Sequence, residues 1–321
     1  MILPHNQSID FSKIKQAKYI KLGAGGVWDN ICFQEGTLRL GYYKVPEDYD
    51  ASMGKEPLYN LYAKKDGKDS SASNHARQIY DFYTSGPETI WITFSGGRMW
   101  WCQSNEEVEF ISNNELSSPS GSRLKRTVSG WHDCSINGRV FYNSNISGRI
   151  SKTAGFKGTI CDVKPYEFEY LLRLLQDKKM PKVEEAEVNI KVLLNSVENL
   201  LNDLTWEDFE ILVDLIFSGS GWRRVSPIGD EQKTIDIELV MPITNERAIV
   251  QVKSSTDQKQ LNEYIEKMNN HKADKLFYVY HTANSDLSCD NNTDVKLMGP
   301  KEIANNVLRA GLVDWLIDKV G

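Results

Sequence analysis

Residues 234–255 read TIDIELVMPITNERAIVQVKSS. Two runs rich in isoleucine and valine are joined by a turn containing Pro242 and Asn245, which is the pattern of two strands and a connection. Strand side chains alternate between faces. Asp236 and Glu238 therefore share one face of the first run, and Ile235, Ile237 and Leu239 share the other. In the second run Gln251 and Lys253 share a face opposite Val250 and Val252. If the runs pair, carboxylates approach an amide oxygen and an ammonium. Such a face can gather oxygen donors for a hard cation, and its lysine can activate water or stabilise charge at phosphorus. A half-exposed hairpin with a solvated polar face explains the same alternation equally well.

The flanking sequence separates these readings. TWEDFEILVDLIFSGSGW (205–222) has apolar residues at helical spacing, Thr205 as N-cap and acids in its first turn. Trp222-Arg223-Arg224 follows as a short strand. After the quoted stretch come a helix in DQKQLNEYIEKMNNH, a strand in KLFYVYHT and one C-terminal helix over KEIANNVLRAGLVDWLIDK. This alternation predicts an α/β sandwich around a central sheet.

The order of acid-bearing helix, acidic strand and Q-x-K strand resembles the PD-(D/E)XK nuclease superfamily, and within it the Mrr-like restriction endonuclease branch. The resemblance spans about residues 200–310. It implies Asp236 as the metal-binding acid, Gln251 as the second metal-site residue and Lys253 as the catalytic lysine. Glu210 aligns with a helix acid that supports the metal site. Glu238 can add charge to a site in which a neutral amide replaces an acid. The implied reaction is phosphodiester hydrolysis with Mg²⁺, for which Mn²⁺ can substitute.

The front half differs in texture. KYIKLGAGG, GTLRLGYYKV, TIWITFSGGRMWWCQ, VEFIS, RVFYNSN and FKGTICDV are short strand-like segments. ITFSGGRMWW predicts a hairpin turning at Gly96–Gly97, SSASNHARQIYDFYTSG a helix, and ELSSPSGSR a polar loop. In a sheet, Trp100 and Trp101 point to opposite faces. Most of the aromatic rings here are expected in the core, and an exposed one could stack on a base. The segments around KYIKLGAGGVWDNICFQEGTLRLGYYKVP and IWITFSGGRMWWC are similar to the PUA-like group that includes EVE and YTH modules. That likeness covers about residues 15–175. It implies a modified-base pocket with Trp28, Asp29 and Trp101, and with Trp100 in place of Trp101 should the latter be core.

Composition narrows the classes. The charge of −6 over 321 residues divides unevenly, with the first 185 residues at +2 and the remainder at −8. A mildly basic front half suits a phosphate-binding face without requiring one. Five scattered cysteines without a CxxC pair argue against structural zinc and fit a reducing compartment. GAGG at 23–26 is not followed by the Gly-Lys-Ser/Thr of a phosphate-binding loop. No apolar run spans a bilayer and no export pattern opens the chain, so the cytoplasm is expected.

These readings predict an α+β, two-domain protein. Residues 1–180 form a mixed-β, PUA-like barrel domain that recognises DNA or a modified base. Residues 186–321 form an α/β nuclease domain of the PD-(D/E)XK type. The charged stretch QDKKMPKVEEAEV (176–188) separates the two. The expected activity is a modification-dependent, type IV-like restriction endonuclease that acts on DNA as a homodimer to cut both strands. A phage-defence nuclease whose front domain senses a small nucleotide, and a catalytically inactive nucleic-acid-binding protein, are the alternatives.

Overall fold

The computed structural model describes residues 9–63, 69–116, 119–225, 237–268, 273–289 and 295–321. The chain divides into two compact units, Met1–Pro181 and Lys182–Gly321.

The first unit contains β1 (Gln16–Ile20), α1 (Asp29–Glu35), β2 (Thr37–Leu40), α2 (Glu56–Tyr62), α3 (Ser70–Thr84), β3 (Thr89–Ser95), β4 (Arg98–Gln103), β5 (Glu109–Phe110), β6 (Arg123–Arg126), α4 (Gly148–Ser151), β7 (Ile160–Asp162) and α5 (Pro165–Leu175). Its mixed sheet has the order β4-β3-β1-β7, with β1 parallel to β3 and antiparallel to β7. The β3–β4 hairpin turns at Gly96 and Gly97, whose φ values of 58° and 74° suit glycine. One face of this sheet packs Trp91, Cys102 and Ile20 with Ile79 and Phe82 of α3. The other packs Tyr19, Ile92 and Trp101 with Leu171 and Leu175 of α5. Asp69 caps α3 by accepting from the Ser71 and Ala72 amides. The buried Gln78 side chain accepts from the Thr159 and Ile160 amides and fastens α3 to β7.

A second, antiparallel sheet has the order β2-β6-β5. Among the described residues the two sheets meet at a single Ser104–Thr127 bridge and do not close into a barrel, which corrects the expected barrel. RVFYNSN also differs from its reading as a strand. It makes isolated bridges at Val140 and Tyr142 and then a 3₁₀ turn at Asn143–Asn145, because its Asn-Ser-Asn end favours local turns over a ladder.

The second unit contains α6 (Pro181–Leu201), α7 (Trp206–Gly219), β8 (Arg223–Arg224), β9 (Ile237–Val240), β10 (Arg247–Thr256), α8 (Gln258–Met268), β11 (Lys275–Ala283), β12 (Val295–Met298), α9 (Pro300–Ala310) and α10 (Val313–Val320). The sheet order is β12-β11-β10-β9-β8. β10, β11 and β12 run parallel, while β9 and β8 are antiparallel additions. Val250, Val252, Phe277 and Val279 face α7 and α9. Ile249, Leu276 and Tyr278 face Leu261 and Tyr264 of α8. Helices therefore cover both faces. The predicted single C-terminal helix is two, because Gly311 adopts φ 69° and closes α9 with a left-handed cap. The charged stretch after Pro181 is helical from its first residue, since proline suits the first turn, where its missing N–H has no partner to lose.

Candidate active site

β10 is a strand because RAIVQVKSST carries β-branched Ile249, Val250, Val252 and Thr256, and it lies in the middle of its sheet. Ile249, Gln251 and Lys253 share one face. In the antiparallel register Glu238 lies opposite Ile249, so its side chain joins that face, one pleat from Gln251. In the parallel register Gln251 lies beside Tyr278, and Lys253 beside Tyr280. Three of the residues singled out in the sequence, Glu238, Gln251 and Lys253, are thereby brought together on the α8 side of the sheet. Asp236, which directly precedes Ile237, lies outside the described residues.

The burial of this face is graded. Gln251 is buried and Lys253 half-buried. Among the described residues no acceptor lies within hydrogen-bonding or ion-pair distance of the Lys253 ammonium. It sits toward the C-terminal end of β10, the end of parallel strands where α/β sheets place their ligand sites. The Glu238 carboxylate is 3.6 Å from the Arg247 guanidinium. The Tyr278 hydroxyl, 2.5 Å from that of Thr256, stiffens the floor beside Gln251. Burial and the nearby Glu302 and Asp286 push the Tyr280 phenol up. Glu210 is half-buried on α7, whose apolar side packs on Val250 and Val252, the face opposite Gln251 and Lys253.

Glu238 and Gln251 are oxygen donors of the kind a hard divalent cation takes. They supply one carboxylate and one amide, a partial set. Among the described residues no cluster of three or more His, Cys, Asp or Glu side chains is close enough to hold a metal by itself.

Residues 201–297 match the family model Mrr_cat, a restriction endonuclease. The C-terminal unit thus carries a restriction endonuclease domain, a kind of domain that implies DNA endonuclease activity and is typically metal-dependent. The matched segment holds Glu210, Asp236, Glu238, Gln251 and Lys253. The structure is also similar to that of a DNA modification-dependent restriction endonuclease, AspBHI. That match has a TM-score of 0.31 and 11% sequence identity, and covers 72% of this chain and 68% of the other. A likeness of that size carries no argument by itself. No curated protein matches the chain. Among the described residues no helix is long and apolar enough to cross a membrane.

In the first unit the predicted base-pocket residues separate. Trp101 is fully buried between Phe11 and His132, and its indole N–H donates to the Cys134 carbonyl at 2.8 Å. Trp100, on the opposite face, is half-buried. It stacks on Phe33 with ring centroids 4.2 Å apart and donates to the Ser95 carbonyl. Burial pushes the Asp29 carboxyl up, and the nearby Ser95 hydroxyl offsets part of that rise. Trp28 donates to the Pro119 carbonyl at 2.7 Å. Its ring lies so close to Gly23 and Gly41 that a Cβ at either would come within 2.8 Å of it. Asp29, Ser95 and Trp100 thus lie together, with Trp101 on the opposite face of the sheet in the core. The sequence reading did not single out Ser95. Tyr278 and Tyr280 were likewise missed, although the period-two pattern of KLFYVYHT puts both on one face.

Proposed function

We propose that this chain is a modification-dependent, type IV-like restriction endonuclease that hydrolyses phosphodiester bonds of DNA carrying a modified base. The observation that carries the reading is the shared face of Gln251 and Lys253 at the C-terminal end of a central parallel strand, inside the segment that matches the restriction endonuclease model. Asp236, Gln251 and Glu238 would hold Mg²⁺, or Mn²⁺ in its place, with Glu210 supporting the site from α7. The ion, when bound, would polarise the phosphoryl oxygen and acidify a water. Lys253 supplies a positive charge next to that water and to the charge that grows on phosphorus. Buried Gln251 fixes an amide oxygen between the acid strand and Tyr278.

The first unit, residues 1–180, would serve as the reader, with Trp28, Asp29 and Trp100 around the base and Trp101 supporting them from the core. Its stacking surfaces are neutral, and a flipped base needs such walls. A reader joined to a nuclease explains how host DNA is spared. The cytoplasm, where invading DNA is met, is the proposed location.

The test is cleavage of matched duplexes with unmodified, methylated, hydroxymethylated and glucosylated bases, with Mg²⁺ and with EDTA. Mg²⁺-dependent cutting of at least one modified duplex, and none of the unmodified one, is expected. Equal cutting of all would remove the modification dependence. No cutting of any, with a free nucleotide bound by the first unit, would favour a nucleotide-sensing defence protein.

A further inference from the structure

The first thirteen residues of α6 are all exposed, although the helix carries many large apolar side chains there. Val183, Ile190 and Leu193 are 41–49% exposed, and Ala186 lies between them on the same stripe. At 100° per residue these four positions fall on one face. They occupy a and d sites of a heptad that continues without a break through Val197 and Leu200. Val197 is buried in the core of the second unit and Leu200 packs against that core. The stripe is therefore an extension of the hydrophobic core, running about two heptads, or roughly 20 Å, beyond it.

We propose that this stripe is a homodimer interface, in which α6 pairs in parallel with α6 of a second copy. The flanking charges select the partner and the direction. With Val183 at a, Lys182 takes g and Glu187 takes e. In a parallel pair each Lys182 faces the partner's Glu187, an attractive g–e′ contact at both edges of the seam. It also places an acid beside a lysine that the positive N-terminal end of the helix dipole disfavours. An antiparallel pair overlapping the same stretch would bring the two Glu187 carboxylates together. β-Branched Val183 and Ile190 at a, with Leu193 at d, suit a two-stranded parallel seam. The exposed part of the stripe ends at Leu193, before the restriction endonuclease match begins at residue 201. A parallel pair would carry two catalytic units at one end of a two-fold axis, as cutting both strands requires; that consequence alone rests on the proposed nuclease function.

Sedimentation velocity of the full chain over about 1–100 µM, the range suited to a micromolar contact, reads the proposal without reference to cleavage. The wild type should pass from monomer to dimer. Ile190→Glu/Leu193→Glu should weaken dimerisation at least tenfold, with a melting temperature unchanged at concentrations where both proteins are monomeric, because both side chains are exposed in the monomer. Oxidised Ile190→Cys should give a covalent dimer, since an a position faces itself across a parallel seam. Val188→Cys, on the opposite face, and the wild type should not. A wild type that stays monomeric, a dimer that survives the double substitution, or cross-linking at 188 instead of 190 would each overturn it. So would a monomeric wild type with a destabilised double variant, which would mean that the chain itself covers the stripe.

Discussion

Lys253 of β10 lies directly beside Tyr280 of β11, in parallel register and on the face that also carries Gln251 and Glu238. The phenol is held against the start of α9, where a Cβ at Gly299 would meet its hydroxyl at 2.7 Å. The lysine is thus bordered by a ring that packing has fixed in place, on strands that α7 and α9 hold from behind.

Lys253→Ala, and Asp236→Ala likewise, should reduce Mg²⁺-dependent DNA cleavage by at least about 10²-fold, the scale of losing one charge-stabilising group. DNA affinity and melting temperature should stay close to the wild type, since Lys253 is half-buried and spans no core contact. Single-turnover cleavage beside a binding isotherm checks this. Undiminished cutting by either variant would remove the site from this face.

Gln251→Glu should keep measurable activity, because it restores the acid used elsewhere in the superfamily. A carboxyl placed at this buried position is held protonated by desolvation. The alkaline-going limb of the rate profile should therefore move to higher pH than in the wild type. A variant that binds metal normally yet cuts at no pH would refute Gln251 as an oxygen donor.

Trp28→Ala and Trp100→Ala should weaken binding of modified DNA by about 5- to 150-fold, from the roughly 1–3 kcal/mol of a base-stacking contact. The salt-dependent affinity for unmodified DNA should hardly change, because phosphate contacts provide it. Trp101→Ala should behave differently. Removing a fully buried indole costs about 3–5 kcal/mol of stability, so the melting temperature and all binding should fall together. An unaltered ratio of affinities in folded Trp28→Ala and Trp100→Ala proteins would refute the pocket.

Burial lowers the pKa of Lys125 to about 8, against the opposing pull of Glu88 and Glu106. Below that value the ammonium is charged in folded and unfolded chains alike. Above it the folded chain releases a proton that the unfolded chain keeps up to its ordinary pKa, so stability should rise with pH. The rise should be on the order of 2 kcal/mol between about pH 7 and 9.5. At higher pH the buried Tyr19 and Tyr49 and the half-buried Tyr62, raised to about 12, act in the opposite sense. Denaturant titrations across this window should show the slope in the wild type and its loss in Lys125→Met. Parallel curves for the two proteins would refute it.

The alternation in TIDIELV and AIVQVKSS was enough to pair Gln251 with Lys253 and to oppose them to Val250 and Val252, because side-chain direction along a strand is fixed by local covalent geometry. The Gly96–Gly97 hairpin, helix α3 and the opposite facing of Trp100 and Trp101 were legible for the same reason. Other features depended on distant partners. β6 begins at the last residue of the stretch that reads as a polar loop and was not expected as a strand, since Arg123 and Lys125 are charged. They are buried there only because the Tyr83 hydroxyl and the carbonyls of Val45, Pro46 and Ser85 accept their protons. Which tryptophan is core, which strand flanks Lys253, and where the α6 stripe leaves the core were likewise decided by the tertiary structure. Hydrogen-bond register and burial are relations between segments far apart in the chain, and no local period encodes them.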